Sequence, residues 1–173
     1  MKISRKGEYA LRALMELARE TGGNASAHSS TGAAGGASKH AAAPKVSLRL
    51  REISERSVVP VKFLEQIMIL LKRARFVRST RGKQGGYVLA RPAKEIIVGE
   101  VIRSLDGSLA PLGDAEEFRE RLDRRDHFCG LYATLLDVRN AVCKIMDHRS
   151  IQDLCERSEE LERTFRDYPM YYI

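Results

Sequence analysis

The feature that most constrains this chain is the stretch from Val59 to Arg91, in which an apolar helical pattern runs directly into a glycine-rich hairpin pattern. After Pro60, apolar residues recur at the spacing of an amphipathic helix that ends near Phe76. Two short runs, 76–80 and 87–90, then flank a tip with three glycines, as in a two-stranded hairpin. A helix followed by such a hairpin is the order of elements in a winged helix. The apolar stripe of the helix consists of Phe63, Leu64, Ile67, Met68, Leu70 and Leu71.

Charge of a single sign covers the same stretch. No acidic residue occurs between Glu65 and Glu95, whereas basic residues are frequent there. The chain of 173 residues has a net charge of +7, and this excess favours a polyanionic partner such as DNA over a merely solvated surface. The basic residues of the stretch are Lys72, Arg73, Arg75, Arg78, Arg81, Lys83, Arg91 and Lys94.

The polar side of the predicted recognition helix carries side chains that can read base edges. Lys62, Glu65 and Gln66 fall away from the apolar stripe at helical spacing. The Gln66 amide can form two hydrogen bonds with adenine, and the Glu65 carboxylate can accept one from cytosine. In the hairpin, glycines would let the tip backbone approach phosphates, and an arginine suits a narrow minor groove. The predicted wing contacts are Arg78, Arg81, Gly82, Lys83, Gln84, Gly85, Gly86 and Tyr87.

Helical periodicity recurs on both sides of this stretch. Residues 3–19, 47–56 and 96–105 each show an apolar face, which predicts helices that close a core around the recognition helix. Between the first two, residues 21–45 are rich in Gly, Ala and Ser and predict a flexible insertion. The predicted fold class of residues 1–107 is a mainly α winged helix-turn-helix DNA-binding domain with a small β-hairpin wing. Phosphate contacts from Lys2, Arg5 and Lys6 are possible in the same domain.

The C-terminal part is expected to serve assembly. Residues 108–127 are densely charged and predict an exposed loop or a marginal helix. Within residues 128–173, apolar side chains alternate at spacings of four and three, a heptad pattern that requires a partner helix. We therefore predict a long dimerisation helix followed by a tail. The alternative is that this helix packs on the winged-helix domain of the same chain. The seam residues are Leu131, Leu135, Val138, Val142 and Ile145.

Two segments of the chain resemble the Rrf2 family of bacterial transcription regulators. They are MKISRKGEYALRALMELA at the N-terminus and FLEQIMILLKRARFVRSTRGKQGGYVLARPAKEIIVGEVIRSLDG. The resemblance implies that the helix beginning with Phe63–Gln66 lies in the major groove of DNA, and that the hairpin from Arg81 to Tyr87 reaches the neighbouring minor groove. It also implies a homodimer on a palindromic operator, acting as a repressor that responds to a redox, iron, sulfur or metabolite signal.

The resemblance leaves the cofactor open. Some members of that family hold an iron–sulfur cluster on three closely spaced cysteines before the dimer helix. Here only Cys129 matches such a ligand, and Glu117 and Asp123 occupy the places of the other two. Glu8 matches an acidic oxygen ligand of some relatives. Cys129 and Glu8 are therefore the candidate metal ligands, and a regulator without a cluster is the alternative that the missing cysteines favour.

The remaining sequence features argue against other classes of protein. No catalytic set is present beyond a doubtful couple of His127 and Cys129, so we do not expect an enzyme. No stretch resembles a membrane span or a signal peptide, which predicts a cytoplasmic protein. Cys143 is expected to be buried, whereas the charged surroundings of Cys129 make it a candidate switch. A winged helix that binds protein in place of DNA is the other interpretation.

Overall fold

The computed structural model describes residues 3–26, 47–82, 85–107, 115–125 and 127–167. Within these ranges the chain forms helices and one two-stranded antiparallel hairpin, and no helix is long and apolar enough to cross a membrane. A short 3-10 turn, Ala93–Glu95, precedes the fourth α-helix. In chain order the elements are α1 (Arg5–Ser26), α2 (Leu50–Ser57), α3 (Val61–Arg73), β1 (Val77–Thr80), β2 (Gly86–Leu89), α4 (Val98–Asp106), α5 (Ala115–Asp123), α6 (Cys129–Asp147) and α7 (Ile151–Asp167).

Helix α1 is the centre of the core. It packs against α2, α3, α4 and α7, and its small residues Ala10 and Ala13 are fully buried, which lets neighbouring helices approach closely. Helix α3 turns its own apolar stripe onto this centre. Burial of one such side chain stabilises the fold by roughly 1.5 to 3 kcal/mol. The buried residues of α3 are Leu64, Ile67, Met68 and Leu71.

The turn between α2 and α3 explains why these two helices form a helix-turn-helix. Helix α2 ends at Ser57, and the next residue, Val58, has a φ of 55° and a ψ of 42°, which place it in the left-handed region and reverse the chain. The Val59 amide donates to the Ser54 carbonyl at 3.1 Å, and the Ser54 hydroxyl donates to the Val59 carbonyl at 2.6 Å. Pro60 then precedes the first turn of α3, where its missing N–H is not needed.

The hairpin is attached to the helical body by a third, very short backbone segment. Strands β1 and β2 pair in register from Val77 opposite Leu89 to Thr80 opposite Gly86. On the other side of β2, Leu48 and Tyr87 exchange two backbone hydrogen bonds of 3.1 and 2.8 Å. The wing is therefore fixed to the chain just before α2. Together these elements confirm the predicted class, a mainly α winged helix-turn-helix with a small hairpin wing.

Several predicted boundaries differ from the structure. Helix α1 continues to Ser26, beyond the predicted start of the insertion at residue 21, and residues 27–46 lie outside the described ranges. Helix α2 begins only at Leu50, because Leu48 is held in the bridge to the hairpin. Helix α3 ends at Arg73, because the chain turns at Arg75, which has a φ of 59°.

The charged segment before α6 is more ordered than its composition suggests. Helix α5 forms there and buries Ala115 and Phe118. The ring centroids of Phe118 and Tyr132 on α6 are 6.0 Å apart, and the guanidinium of Arg121 donates to the Tyr132 hydroxyl at 3.0 Å. One turn of apolar surface and one arginine therefore hold α5 on α6.

Helix α7 returns the chain to the core. Its first turn is capped by the Ser150 amide and hydroxyl, which donate to the Asp153 carboxylate at 2.7 and 2.9 Å. Both bonds lower the pKa of Asp153 below its ordinary value of 3.8, and the bond from the backbone amide has the larger effect. Further along, Ile151 and Cys155 are buried in the same cluster as α1. Burial raises the pKa of the Cys155 thiol. The predicted tail, residues 167–173, begins with Asp167, which is the last residue of α7, and its other residues lie outside the described ranges.

Candidate nucleic-acid interface

The outer face of α3 is polar and open to solvent. Lys62, Glu65 and Gln66, the three predicted base-reading residues, are all exposed. Ile69 follows on the same face and is 46% exposed. Because the opposite stripe of α3 is buried against α1, the orientation of this face is fixed by the core. The helix therefore presents a rigid row of donors and acceptors, as direct readout of bases requires.

One member of the predicted apolar stripe is placed differently. Phe63 is 63% exposed, so its assignment to the core was wrong. Its ring meets Tyr9 edge to face, with 6.4 Å between the centroids, at the rim of the α1–α3 contact. Leu64 in the same turn is fully buried, so the surface of α3 that contacts the core is narrower than the apolar stripe, and Phe63 lies at its edge beside the polar face.

The wing continues the exposed surface from α3. The Lys72 ammonium at the end of α3 donates to the Ser79 hydroxyl on β1 at 2.8 Å, so helix and hairpin are joined directly. Arg78 and Arg81 are exposed on the hairpin. Lys83 and Gln84, also predicted as contacts, lie outside the described residues. The structure thus brings the described members of the predicted wing set next to the recognition helix.

The three glycines of the wing have different roles. Gly82 has a φ of +111°, and no described atom lies within 4 Å of the position of a Cβ, so this glycine serves the turn. At Gly85 a Cβ would lie 2.7 Å from the Thr80 carbonyl oxygen, and at Gly86 it would lie 2.4 Å from that of Leu48. Packing within the chain therefore requires Gly85 and Gly86, whereas we expected all three glycines to serve an open tip.

Tyr87 has a structural role and is also a predicted DNA contact. Its backbone forms the bridge to Leu48, and its side chain is half-buried against the core. The bridge was not visible in the sequence, because a single pairing between distant residues leaves no periodic pattern. Tyr87 remains a predicted contact through its exposed part.

The basic residues of the stretch separate into two groups. Arg91 already has partners within the chain: its guanidinium pairs with Glu100 and lies 5.5 Å from the centroid of the Phe76 ring. Lys6, a candidate phosphate contact, likewise pairs with Asp106 at 3.4 Å. The second group is exposed and has no ion pair within the described part of the chain, which suits it to phosphate. Its members are Arg73, Arg75, Arg78, Arg81 and Lys94.

The described residues of a single chain bring together no set of three donors for an iron–sulfur cluster. Cys129 is half-buried at the start of α6, whereas Cys143 lies about four turns further along the same helix. Glu8 is engaged by Arg12 at 2.6 Å. Among the residues that the structure describes, no group of three or more His, Cys, Asp or Glu side chains converges as a metal site. The assignment of Cys129 and Glu8 as ligands remains a prediction.

Helix α6 has a second exposed surface. None of its residues is buried, although it is as long as the main core helices. Leu131, Val138 and Ile145 are 55%, 47% and 63% exposed, and Leu135 and Val142 between them are half-buried. The predicted seam therefore exists as a continuous apolar stripe on the surface of the chain. Cys143, expected to be buried, is only half-buried for the same reason.

Comparison with known proteins identifies the family. The family model described as Rrf2, iron-dependent transcriptional regulator, matches residues 40–157. The HTH-type regulator CymR of Bacillus subtilis is 28% identical over the full length of both chains. An rrf2-like HTH-type regulator of Rhodobacter capsulatus is 36% identical over 64% of this chain, and the match spans only 61% of that relative.

Solved structures agree with the sequence matches. The structure of B. subtilis CymR, described as a global cysteine regulator, has a TM-score of 0.64 and 27% identity, covering 91% of this chain and 98% of its own. T. potens IscR has a TM-score of 0.62 and 27% identity, with 93% and 90% covered. With its exposed recognition helix, adjoining basic wing and these relatives, the chain belongs to the Rrf2 family of DNA-binding transcriptional regulators.

Proposed function

We propose that the protein acts as a homodimeric repressor, with two copies joined through α6 on a palindromic operator. The observation that carries this proposal is the apolar stripe on α6, a helix of 19 residues with no buried residue in the single chain. Exposed apolar side chains repeating at spacings of four and three favour a partner helix with the same pattern. A two-fold interface then gives a palindromic site its matching symmetry.

We further propose how each chain contacts its half-site. Lys62, Glu65 and Gln66 on α3 would read base edges in the major groove, with the Gln66 amide directed at adenine. Arg81 at the wing would enter the adjacent minor groove, where the negative potential favours a guanidinium. Arg73 and Lys94 would contact phosphates and contribute to the salt dependence of binding. Such a regulator works in the compartment that holds its DNA, which we take to be the cytoplasm.

The signal that we propose is a redox or sulfur signal. Two observations support it: CymR of B. subtilis is described as a global cysteine regulator, and Cys129 lies at the start of the helix that carries the seam. A change at Cys129 would act at the base of the dimer contact. An iron–sulfur cluster on Cys129 and Glu8 is the alternative, which the family description as iron-dependent keeps open. A UV–visible spectrum and an iron assay of anaerobically purified protein distinguish the two.

Sedimentation equilibrium tests the dimer. Replacing Leu135 and Val142 together by Asp would place two charges in the seam, which costs several kcal/mol when they are buried. Asn140→Asp is the matched control, because Asn140 is exposed half a turn around α6 from Leu131. We expect dimers for the wild type and the control, and monomers for the double variant. A monomeric wild type, or a double variant that remains a dimer, would refute the proposed interface.

A further inference from the structure

An ion pair with two hydrogen bonds lies at the joint between α6 and the winged-helix body. Asp147 is the last residue of α6, and both of its carboxylate oxygens accept hydrogen bonds from the Arg103 guanidinium on α4, at 2.6 and 3.3 Å. A guanidinium that binds both oxygens of a carboxylate fixes direction as well as distance. The hydrogen bond to Asp147 raises the pKa of Arg103 above its ordinary value. The pair therefore holds the end of α6 in one orientation relative to α4.

A glycine makes room for this pair. Gly99 on α4 is buried, and a Cβ at this position would lie 2.0 Å from one Asp147 oxygen and 3.2 Å from the Arg103 guanidinium. The carboxylate thus rests on the bare backbone of α4. No side chain larger than hydrogen fits beneath it without displacing the Asp147 carboxylate from this position.

Backbone hydrogen bonds fix the chain immediately after the pair. The Val98 amide donates to the Arg149 carbonyl at 2.8 Å, and the Ile151 amide donates to the Ile96 carbonyl at 2.9 Å. The start of α4 and the link between α6 and α7 are therefore one rigid unit. Toward its other end α6 packs against α5, which is held mainly by Phe118 and Arg121.

We propose that Arg103 and Asp147, seated over Gly99, are positioning residues that set the direction in which α6 leaves the winged-helix body, and thereby the spacing of the two half-sites. The inference rests on the proposed dimer, because the spacing is defined only when two copies are joined. Helix α6 is about 28 Å long, so a tilt of about 10° at this joint displaces its far end by about 5 Å. That displacement exceeds the rise of about 3.4 Å per base pair of DNA.

A purely structural role for the pair predicts a different result. Arg103 and Asp147 keep side-chain exposures of 43% and 36%, and ion pairs this open to solvent contribute little to stability. Their removal should therefore leave folding and dimerisation nearly unchanged. An effect on operator spacing would be seen only if the pair controls geometry.

The experiment uses the full chain and a palindromic site obtained by selection from random duplex DNA. Half-sites are separated by spacers that vary in steps of one base pair, and affinity for each duplex is measured for the wild type, Asp147→Asn and Gly99→Ala. Asp147→Asn removes the charge of the carboxylate. Gly99→Ala keeps all charges but displaces the Asp147 carboxylate. Glu120→Gln is the control, because it removes an exposed ion pair with Arg124 at the end of α5, away from the joint.

We expect the wild type and Glu120→Gln to prefer one spacer by about tenfold over its neighbours. Asp147→Asn and Gly99→Ala should remain dimers by sedimentation, with the same affinity for an isolated half-site, and should lose this preference or shift it by one base pair or more. Dimeric variants that keep the wild-type spacer preference would overturn the inference. A wild type that is monomeric by sedimentation would instead overturn the proposed dimer, and the inference with it.

Discussion

Gly86 is the position at which a single methyl group should most clearly disturb the wing. A Cβ at Gly86 would lie 2.4 Å from the Leu48 carbonyl oxygen and 2.7 Å from the Leu48 carbonyl carbon. Both are backbone atoms, so no side-chain rotation relieves the contact. The φ of Gly86 is not in the left-handed region, so an alanine at this position is disfavoured by this contact and not by backbone strain. Gly86→Ala must push β2 away from the segment before α2.

The size of the effect follows from the bonds that would break. The Leu48–Tyr87 bridge consists of two backbone hydrogen bonds of 3.1 and 2.8 Å. Each contributes about 0.5 to 1.5 kcal/mol to the free energy of unfolding, so their loss costs about 1 to 3 kcal/mol. For a chain of this size, 1 kcal/mol corresponds to roughly 2 to 4 °C in Tm. We expect Tm to fall by about 2 to 12 °C.

Calorimetry and DNA titration together test this prediction. Gly130→Ala is the control, because Gly130 lies in the first turn of α6 with no described atom within 4 Å of a Cβ, and alanine there should not lower Tm. Gly86→Ala should also weaken specific DNA binding at temperatures where it is fully folded, since the wing is displaced. An unchanged Tm and affinity in Gly86→Ala would show that the wing is not fixed by its contact with Leu48.

Three further perturbations test other parts of the account. Arg81→Ala should cost on the order of 1 to 3 kcal/mol of specific affinity and reduce the salt slope of binding. Arg91→Ala should lower Tm but leave the salt slope unchanged. Titrations at several salt concentrations distinguish the two variants. Alkylation should weaken operator binding in the wild type and in Cys143→Ser but not in Cys129→Ser, and equal loss in all three would remove Cys129 from the switch. Asp153→Asn should lower Tm at pH 7, because the lowered pKa of Asp153 stabilises the fold above pH 3.8; this deficit should shrink as the pH falls below 3.8, and a deficit independent of pH would contradict the capping role.

The recognition helix and the wing were predictable because both have a local pattern. Helical spacing identified α3, and the glycine-rich tip between two short runs identified the hairpin. Phe63 was misplaced because periodicity locates a stripe but does not show where the groove beneath it ends. For the segment that contains α5, the sequence predicted either a loop or a marginal helix, since the apolar face of α5 is limited to Ala115 and Phe118 among many charges.

The long-range contacts were not predictable from one sequence. The bridge between Leu48 and Tyr87 and the pair between Arg103 and Asp147 each join residues that are far apart in the chain. Neither has a periodicity, and each depends on a glycine whose role becomes visible only when the opposing backbone or carboxylate is in place. The sequence also placed Arg91 among the free cations, although Glu100 and the Phe76 ring hold it.

Selection of binding sites from random duplex DNA tests the central claim most directly. The wild type is compared with Gln66→Ala, whose exposed amide on α3 is the predicted reader of adenine. We expect the wild type to enrich an inverted repeat, and Gln66→Ala to lose preference at one position in each half, at a cost of about 1 to 3 kcal/mol. Enrichment of no sequence, of a single asymmetric site, or of an identical repeat by both proteins would contradict two recognition helices reading a palindromic operator.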